Sequence, residues 1–258
     1  MENLIKRLLS ATVLGTIVIV GIVYLPDAFL KAFIPFIAAV SAWEVFNILS
    51  KKTNQLNLYT AALVSFLSSV LVIFHLWLLA TLVILLYSFV VAAKRWNLEV
   101  LTFNVFGLVY TAFLVSSLAL IIDINKYLLF VLFATVWAGD TFAYIVGKMF
   151  GKHKLAPLIS PNKTWEGAIG SFTASVIFGS SVAVYLNLTQ YIPAIVLASI
   201  IMQIGDLFES FTKRQAGVKD SSNLIPGHGG ILDRIDGLIF ASATFVAYHN
   251  LVQLLIKY

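Results

Sequence analysis

The chain contains no cysteine, which excludes disulfides and thiolate chemistry and leaves the compartment open. Charge is scarce too. Only 11% of residues are Asp, Glu, Lys or Arg, less than half of the ~25% usual in soluble domains. Linkers, low-complexity segments and long repeats are also missing, so one integral domain over residues 1–258 is expected. The first apolar run, 8–25, is followed by no small-x-small cleavage site. It is also longer than the apolar core of a cleaved signal, so it reads as a retained helix.

What fills the chain instead is lipid-soluble. Hydrophobic residues make up 60%, mean hydropathy is +0.95, and there are 20 Phe, 10 Tyr and 5 Trp. Repeated apolar runs of bilayer-spanning length argue for an all-α, polytopic membrane bundle rather than a soluble protein with a large core. A window of about 19 residues finds nine spans, at 8–25, 28–49, 58–74, 76–93, 100–122, 127–150, 165–186, 192–209 and 231–256. His75 alone separates the third from the fourth.

Charge placement tests that count. With nine spans, one face receives Lys6, Arg7, Lys51, Lys52, Lys94, Arg95, Lys148, Lys152, Lys154, Lys163, Lys213, Arg214, Lys219 and Arg234. The other keeps Lys31, Lys126 and Lys257. Merging spans three and four would scatter these residues over both faces. The bias places the N-terminus in the cytoplasm and the C-terminus outside. The net charge of +5 is therefore a topology signal, and no nucleic-acid partner is expected. The lack of soluble appendages sets the expectation of a bacterial plasma membrane. On span seven, Gly167, Ser171, Ser175 and Gly179 form a small-residue stripe that admits another helix closely. Packing within the chain is one use of it, and a homodimer is another.

The polar residues concentrate in 210–236, SFTKRQAGVKDSSNLIPGHGGILDRID. Acids also lie within or at the ends of spans: Glu44, Asp140, Glu166, Asp206, Glu209, Asp233 and Asp236. Ionisable groups at such depth mark function or a paired structural contact. Asp206 with Glu209, and Asp233 with Asp236, have the spacing of three that shares a helical face, so the two pairs could converge. Facing carboxylates need protons, cations or basic partners. A hard ion such as Mg²⁺, completed by substrate phosphates, fits the set, and so does a salt-bridge network with Asp233 and Asp236 at a helix N-terminus. The glycine loop favours the first. Gly227, Gly229 and Gly230 can turn sharply and present N–H groups to an anion, while Lys213, Arg214, Lys219 and Arg234 suit phosphate oxygens. Together these features read as metal-assisted phosphoryl chemistry. A second patch, 160–167, carries Lys163 and Glu166 at an expected helix start with an ordinary Thr or Asn cap.

These residues resemble a known signature. Ser210-x-x-Lys213-Arg214, Lys219-Asp220 and Pro226-x-His228-Gly229-Gly230-x-x-Asp233-Arg234-x-Asp236 are similar to the pattern of the phosphatidate cytidylyltransferases. The 160–167 patch and the Gly139-Asp140 region look like that family as well. Thr212 departs from the pattern, which has an aliphatic residue there. The resemblance implies that the phosphate of phosphatidic acid attacks the α-phosphorus of CTP, giving CDP-diacylglycerol and pyrophosphate, with Mg²⁺ and a possible second metal ion. It further implies Asp206, Asp233 and Asp236 as metal ligands and Lys213, Arg214, Lys219 and Arg234 on phosphates. Ser210, Gly227, Gly229 and Gly230 would bind substrate, with Asp220, His228, Lys163 and Asp140 as further catalytic candidates in a region 139–236 on the cytoplasmic face. The alternative from another class is a secondary transporter or channel, which would use Asp140, Asp206 and Glu44 as an ion pathway.

Overall fold

Apolar stretches of this length satisfy their own backbone groups only by coiling, and in the computed structural model they do so. The structure describes residues 15–224 and 229–257. Among the described residues there are nine helices: α1 Gly15–Tyr24, α2 Asp27–Leu49, α3 Leu58–Ile73, α4 Trp77–Arg95, α5 Leu98–Asn125, α6 Leu128–Phe150, α7 Trp165–Tyr185, α8 Ile192–Gln215 and α9 Leu232–Lys257. Seven of them, α2 and α4–α9, are long and apolar enough to cross a membrane, whereas α1 as described and α3 are shorter apolar helices. The protein is an all-α polytopic membrane protein, and each expected span coincides with one helix, the first only over residues 15–24 because 8–14 lie outside the described residues. The break between spans three and four is real: His75 turns the chain with φ 60°. Asparagine caps start two helices. Asn57 accepts from the Tyr59 and Thr60 amides, each at 3.1 Å, and Asn97 from Glu99 N at 2.9 Å. Each cap satisfies donors that the first helical turn leaves unpaired.

Two boundaries differ from the expectation. α8 continues to Gln215, so Lys213 and Arg214 occupy its last turn, where cations suit the negative end of the helix. The α6–α7 connection folds into two short antiparallel strands, β1 Lys154–Ala156 and β2 Ser160–Thr164, with Lys154 opposite Thr164 and Ala156 opposite Ser160. Lys163 therefore lies on a strand, not on a helix face shared with Glu166.

The chain forms two compact units, each assembled from two pieces: Met1–Leu120 with Gln215–Arg234, and Ile121–Arg214 with Ile235–Tyr258. In the first, α2 packs on α3 and α5 around Phe46, Val45 and Leu108, all fully buried. A Cβ on Gly107 would stand 2.6 Å from the Phe46 ring, so α5 approaches α2 only through that glycine. Hydroxyls join the helices: Ser65 to Ala38 O at 3.1 Å and Thr111 at 3.0 Å, and Ser69 to Ser116 at 2.7 Å. Thr111 lies in a single π-helical turn, Val109–Phe113, within α5.

In the second unit, the small-residue stripe of α7 meets α6. A Cβ on Gly167 would fall 2.8 Å from the Ala143 carbonyl, one on Gly179 would strike the Thr135 hydroxyl, and Ser175 donates to Thr135 O at 2.8 Å. The stripe is thus used inside the chain, and it no longer argues for a homodimer. α8 and α9 are equally close: a Cβ on Gly205 would stand 2.6 Å from the Phe240 ring and 2.9 Å from the Asp236 carbonyl.

Candidate active site

In the second unit, polar groups gather at the end of α8. Asp206 pairs with Lys163, which β2 carries in from the α6–α7 connection, and Ser210 Oγ lies 3.4 Å from Asp206 Oδ1. One turn on, Glu209 and Lys213 form a buried i,i+4 pair at 2.5 Å. The expected face of Asp206 with Glu209 is thus split between two basic partners. On α9, the partly buried Asp236 accepts the Gly237 N–H at 2.8 Å. Asp206, Asp140 and Lys213 lie close enough to act on its charge. Four of the expected residues, Asp140, Asp206, Lys213 and Asp236, therefore share one electrostatic neighbourhood, with Lys163 joined through Asp206.

The strand pair that delivers Lys163 is itself anchored. Glu166 accepts the Lys152 and His153 amides at 3.1 and 3.3 Å and holds His153 Nδ1 at 2.7 Å. Thr164 caps α7 through Gly167 N at 3.1 Å, as the sequence led us to expect. Arg214 Nε donates to Ile159 O at 3.3 Å, which ties the end of α8 to the same connection. Glu166 positions the loop, and Lys163 is the residue that reaches the acid.

In the first unit, described residues on either side of 225–228 meet two carboxylates. Asp233 Oδ2 accepts Ser221 N at 2.9 Å, Ser221 Oγ at 2.9 Å and Gly230 N at 2.7 Å. Gly229 has φ 82°, and a Cβ there would lie 2.5 Å from Asp233 Oδ2, so glycine is required on both counts. The Gly230 N–H is committed to Asp233, which takes one donor from the anion cradle expected of the glycines. Glu44, fully buried on α2, is met by four donors: Oε1 by Ser222 Oγ at 2.6 Å and Ile231 N at 3.0 Å, Oε2 by Leu232 N at 2.7 Å and by Ser221 Oγ at 3.1 Å, whose single O–H is shared with Asp233. It caps α9 from nearly 190 residues away. The transport reading enlisted Glu44 for an ion pathway; here it is engaged in holding a loop. Lys219, Asp220 and Arg234 are exposed. Residues 219–222 line a cavity of ≈ 250 Å³ together with Asn47 and Lys51. Gly227 and His228 lie outside the described residues.

Among the described residues, no group of three or more His, Asp or Glu side chains could by itself hold a metal ion. The acids nonetheless suit one kind of ion. Mg²⁺ is commonly held by one or two carboxylates, with phosphate oxygens and water completing its shell. Asp206 and Asp236 are two carboxylates close enough to act on each other's charge, with Lys163 already paired to the first.

Comparisons with known proteins identify the family. A family model described as the cytidylyltransferase family matches residues 5–252. Curated relatives named phosphatidate cytidylyltransferase include one from Brucella abortus biovar 1 (strain 9-941), 48% identical over 143 residues that cover 53% of each chain. One from Haemophilus influenzae is 47% identical over 130 residues, 47% of this chain and 45% of the relative. A Staphylococcus epidermidis protein is 47% identical over 119 residues, 45% of each. The chain spans about half the length of the curated relatives it matches.

Proposed function

Because the chain belongs to the cytidylyltransferase family, matched over residues 5–252, we propose that it transfers CMP from CTP to phosphatidic acid, giving CDP-diacylglycerol and pyrophosphate. The observation that carries this reading is the cluster Asp206, Asp236 and Asp140 with Lys163 and Lys213, in a chain that also bears the 210–236 signature. An oxygen of the lipid phosphate bonds to the α-phosphorus as the bond to the β-phosphate oxygen breaks, and the electron pair leaves with pyrophosphate. The attacking phosphate is already anionic near neutral pH, so no strong base is needed. The obstacle is repulsion between two polyanions, which positioned cations offset by neutralising and aligning charge.

Asp206 and Asp236 are the proposed Mg²⁺ ligands, two carboxylates with phosphate oxygens and water to complete the shell; Asp233, which the resemblance also names, has its Oδ2 engaged by Ser221 and Gly230. When bound, such an ion supplies charge neutralisation at the phosphates. Lys163, Arg214, Lys219 and Arg234 are assigned to phosphate oxygens. Lys213 is buried against Glu209, so we assign it to balancing charge around Asp236 rather than to direct phosphate contact. Ser210, through Asp206, orients a ligand carboxylate. His228, Asp220 and the backbone of Gly227 to Gly229 remain proposed contacts of the nucleotide phosphates, the Gly230 N–H being engaged by Asp233. A bacterial plasma membrane with the site facing the cytoplasm is the setting that the Lys and Arg asymmetry supports.

Membranes containing the protein should convert labelled CTP and phosphatidic acid into a lipid-soluble product. Chelation of Mg²⁺ should stop the reaction, and Asp236→Asn or Asp206→Asn should slow it by at least about 100-fold with insertion unchanged. An unaltered rate in Asp236→Asn would remove the ligand assignment. Ion or solute flux in liposomes without CTP turnover would overturn the enzyme reading.

A further inference from the structure

We infer that Glu44 is a positioning residue for phosphate-substrate binding, acting through Ser221 and Ser222, which it holds against the start of α9; the inference rests on the transferase reading above. Four observations lead to it. Glu44 is fully buried, yet its two oxygens are matched one to one, each taking one hydroxyl and one backbone N–H. Its donors flank the signature loop on both sides, Ser221 and Ser222 before it and Ile231 and Leu232 after it. Ser221 Oγ also lies 2.9 Å from Asp233 Oδ2, so the positions of the two carboxylates are linked through one hydroxyl. Finally, Ser221 and Ser222 line the ≈ 250 Å³ cavity that Asn47, Lys51, Lys219 and Asp220 complete. Two lysines and an amide are the chemistry that receives a phosphate, while the Ser221 and Ser222 hydroxyls face Glu44 and Asp233 and Asp220 is the one acid of the lining.

A buried acid has cheaper structural substitutes. A cap needs one acceptor, and a helix–loop contact needs none. Four convergent donors instead fix Ser221 and Ser222 against Ile231 and Leu232, which is the accuracy a binding site requires. Glycine at 230 is part of the device, since a Cβ there would collide with the Ser221 hydroxyl and the Glu44 carboxylate.

The geometry makes Glu44→Gln a pointed substitution. Whichever oxygen becomes NH₂, it faces either Ile231 N–H or Leu232 N–H, so one helix donor loses its acceptor while volume is kept. The experiment uses the full chain in detergent with CTP and phosphatidic acid varied separately. It also includes Ser222→Ala, which keeps the carboxylate and removes one bond, in case Glu44→Gln does not fold. KM for one of the two phosphate-bearing substrates is expected to rise about tenfold in Glu44→Gln and by a smaller factor in Ser222→Ala, with the other KM within twofold. The substrate that moves identifies which phosphate the loop serves. A merely structural role would reduce the amount of active enzyme and leave both KM values unchanged, and that result in the variant that folds overturns the inference. Wild-type protein that yields no CDP-lipid would instead overturn the transferase reading, and this inference with it.

Discussion

Replacing Gly230 by alanine isolates a steric effect that the structure allows to be worked through. Gly230 does not have positive φ, so alanine meets no backbone penalty there. Its Cβ, however, would fall onto Ser221 Oγ and Glu44 Oε1. Neither can retreat cheaply, because Ser221 bonds to Glu44 and Asp233, and Glu44 Oε1 holds Ser222 and Ile231 N. Relief requires at least one bond on each side to break. Hydrogen bonds to charged groups contribute about 1.5–3 kcal/mol each, so even at the lower figure two losses come to roughly 3 kcal/mol. For a chain of this size that corresponds to a fall in apparent Tm of about 6–12 °C. The assay is thermal unfolding in detergent, paired with CTP incorporation. Gly229→Ala is the companion: with φ 82° it should add a left-handed backbone cost of about 1–2 kcal/mol and press on Asp233. Gly230→Ala with unchanged Tm and a rate within twofold of wild type would refute the reasoning, because the Glu44 clamp would then not be tight.

Two further substitutions separate stability from chemistry. Lys163→Met removes a pair whose side chains are 27% and 37% exposed, so stability should change by no more than about 1 kcal/mol, while CMP transfer should fall by at least about 100-fold if the ammonium aligns phosphate; matched denaturation and turnover measurements decide it. Gly179→Leu should unfold the protein rather than merely alter its oligomeric state, because the side chain would enter Thr135 and Ile195 within the same chain; size-exclusion chromatography with a melting curve distinguishes the two results.

Much of this was legible in the sequence, for identifiable reasons. Spans expected at 58–74 and 76–93 appear as Leu58–Ile73 and Trp77–Arg95, since a hydropathy window registers what the bilayer requires of a helix. The α7 stripe was legible because small residues four apart can only mean close approach. The extension of α8 to Gln215 was not, because Lys213 and Arg214 lower the window average without interrupting the helix. The strand pair 154–164 was hidden in a polar connection with no alternating apolar pattern. Glu44 drew notice as an acid in a span, but its donors are Ser221, Ser222, Ile231 and Leu232, and no local periodicity reports so distant a partner. The glycines were read as serving an anion, and part of their use is to let the protein's own carboxylates in.

The distance along the chain between Glu44 and its partners also carries a timing consequence. A ribosome adds about 5–20 residues per second, so roughly 10–40 s pass between synthesis of Glu44 and emergence of Leu232. Until residues 221–232 emerge the acid of α2 lacks its eventual donors, and an uncompensated carboxyl is costly to bury. The helices around Glu44 therefore cannot settle fully until α9 arrives, so an early-made acid is satisfied only by residues synthesised nearly 190 positions later.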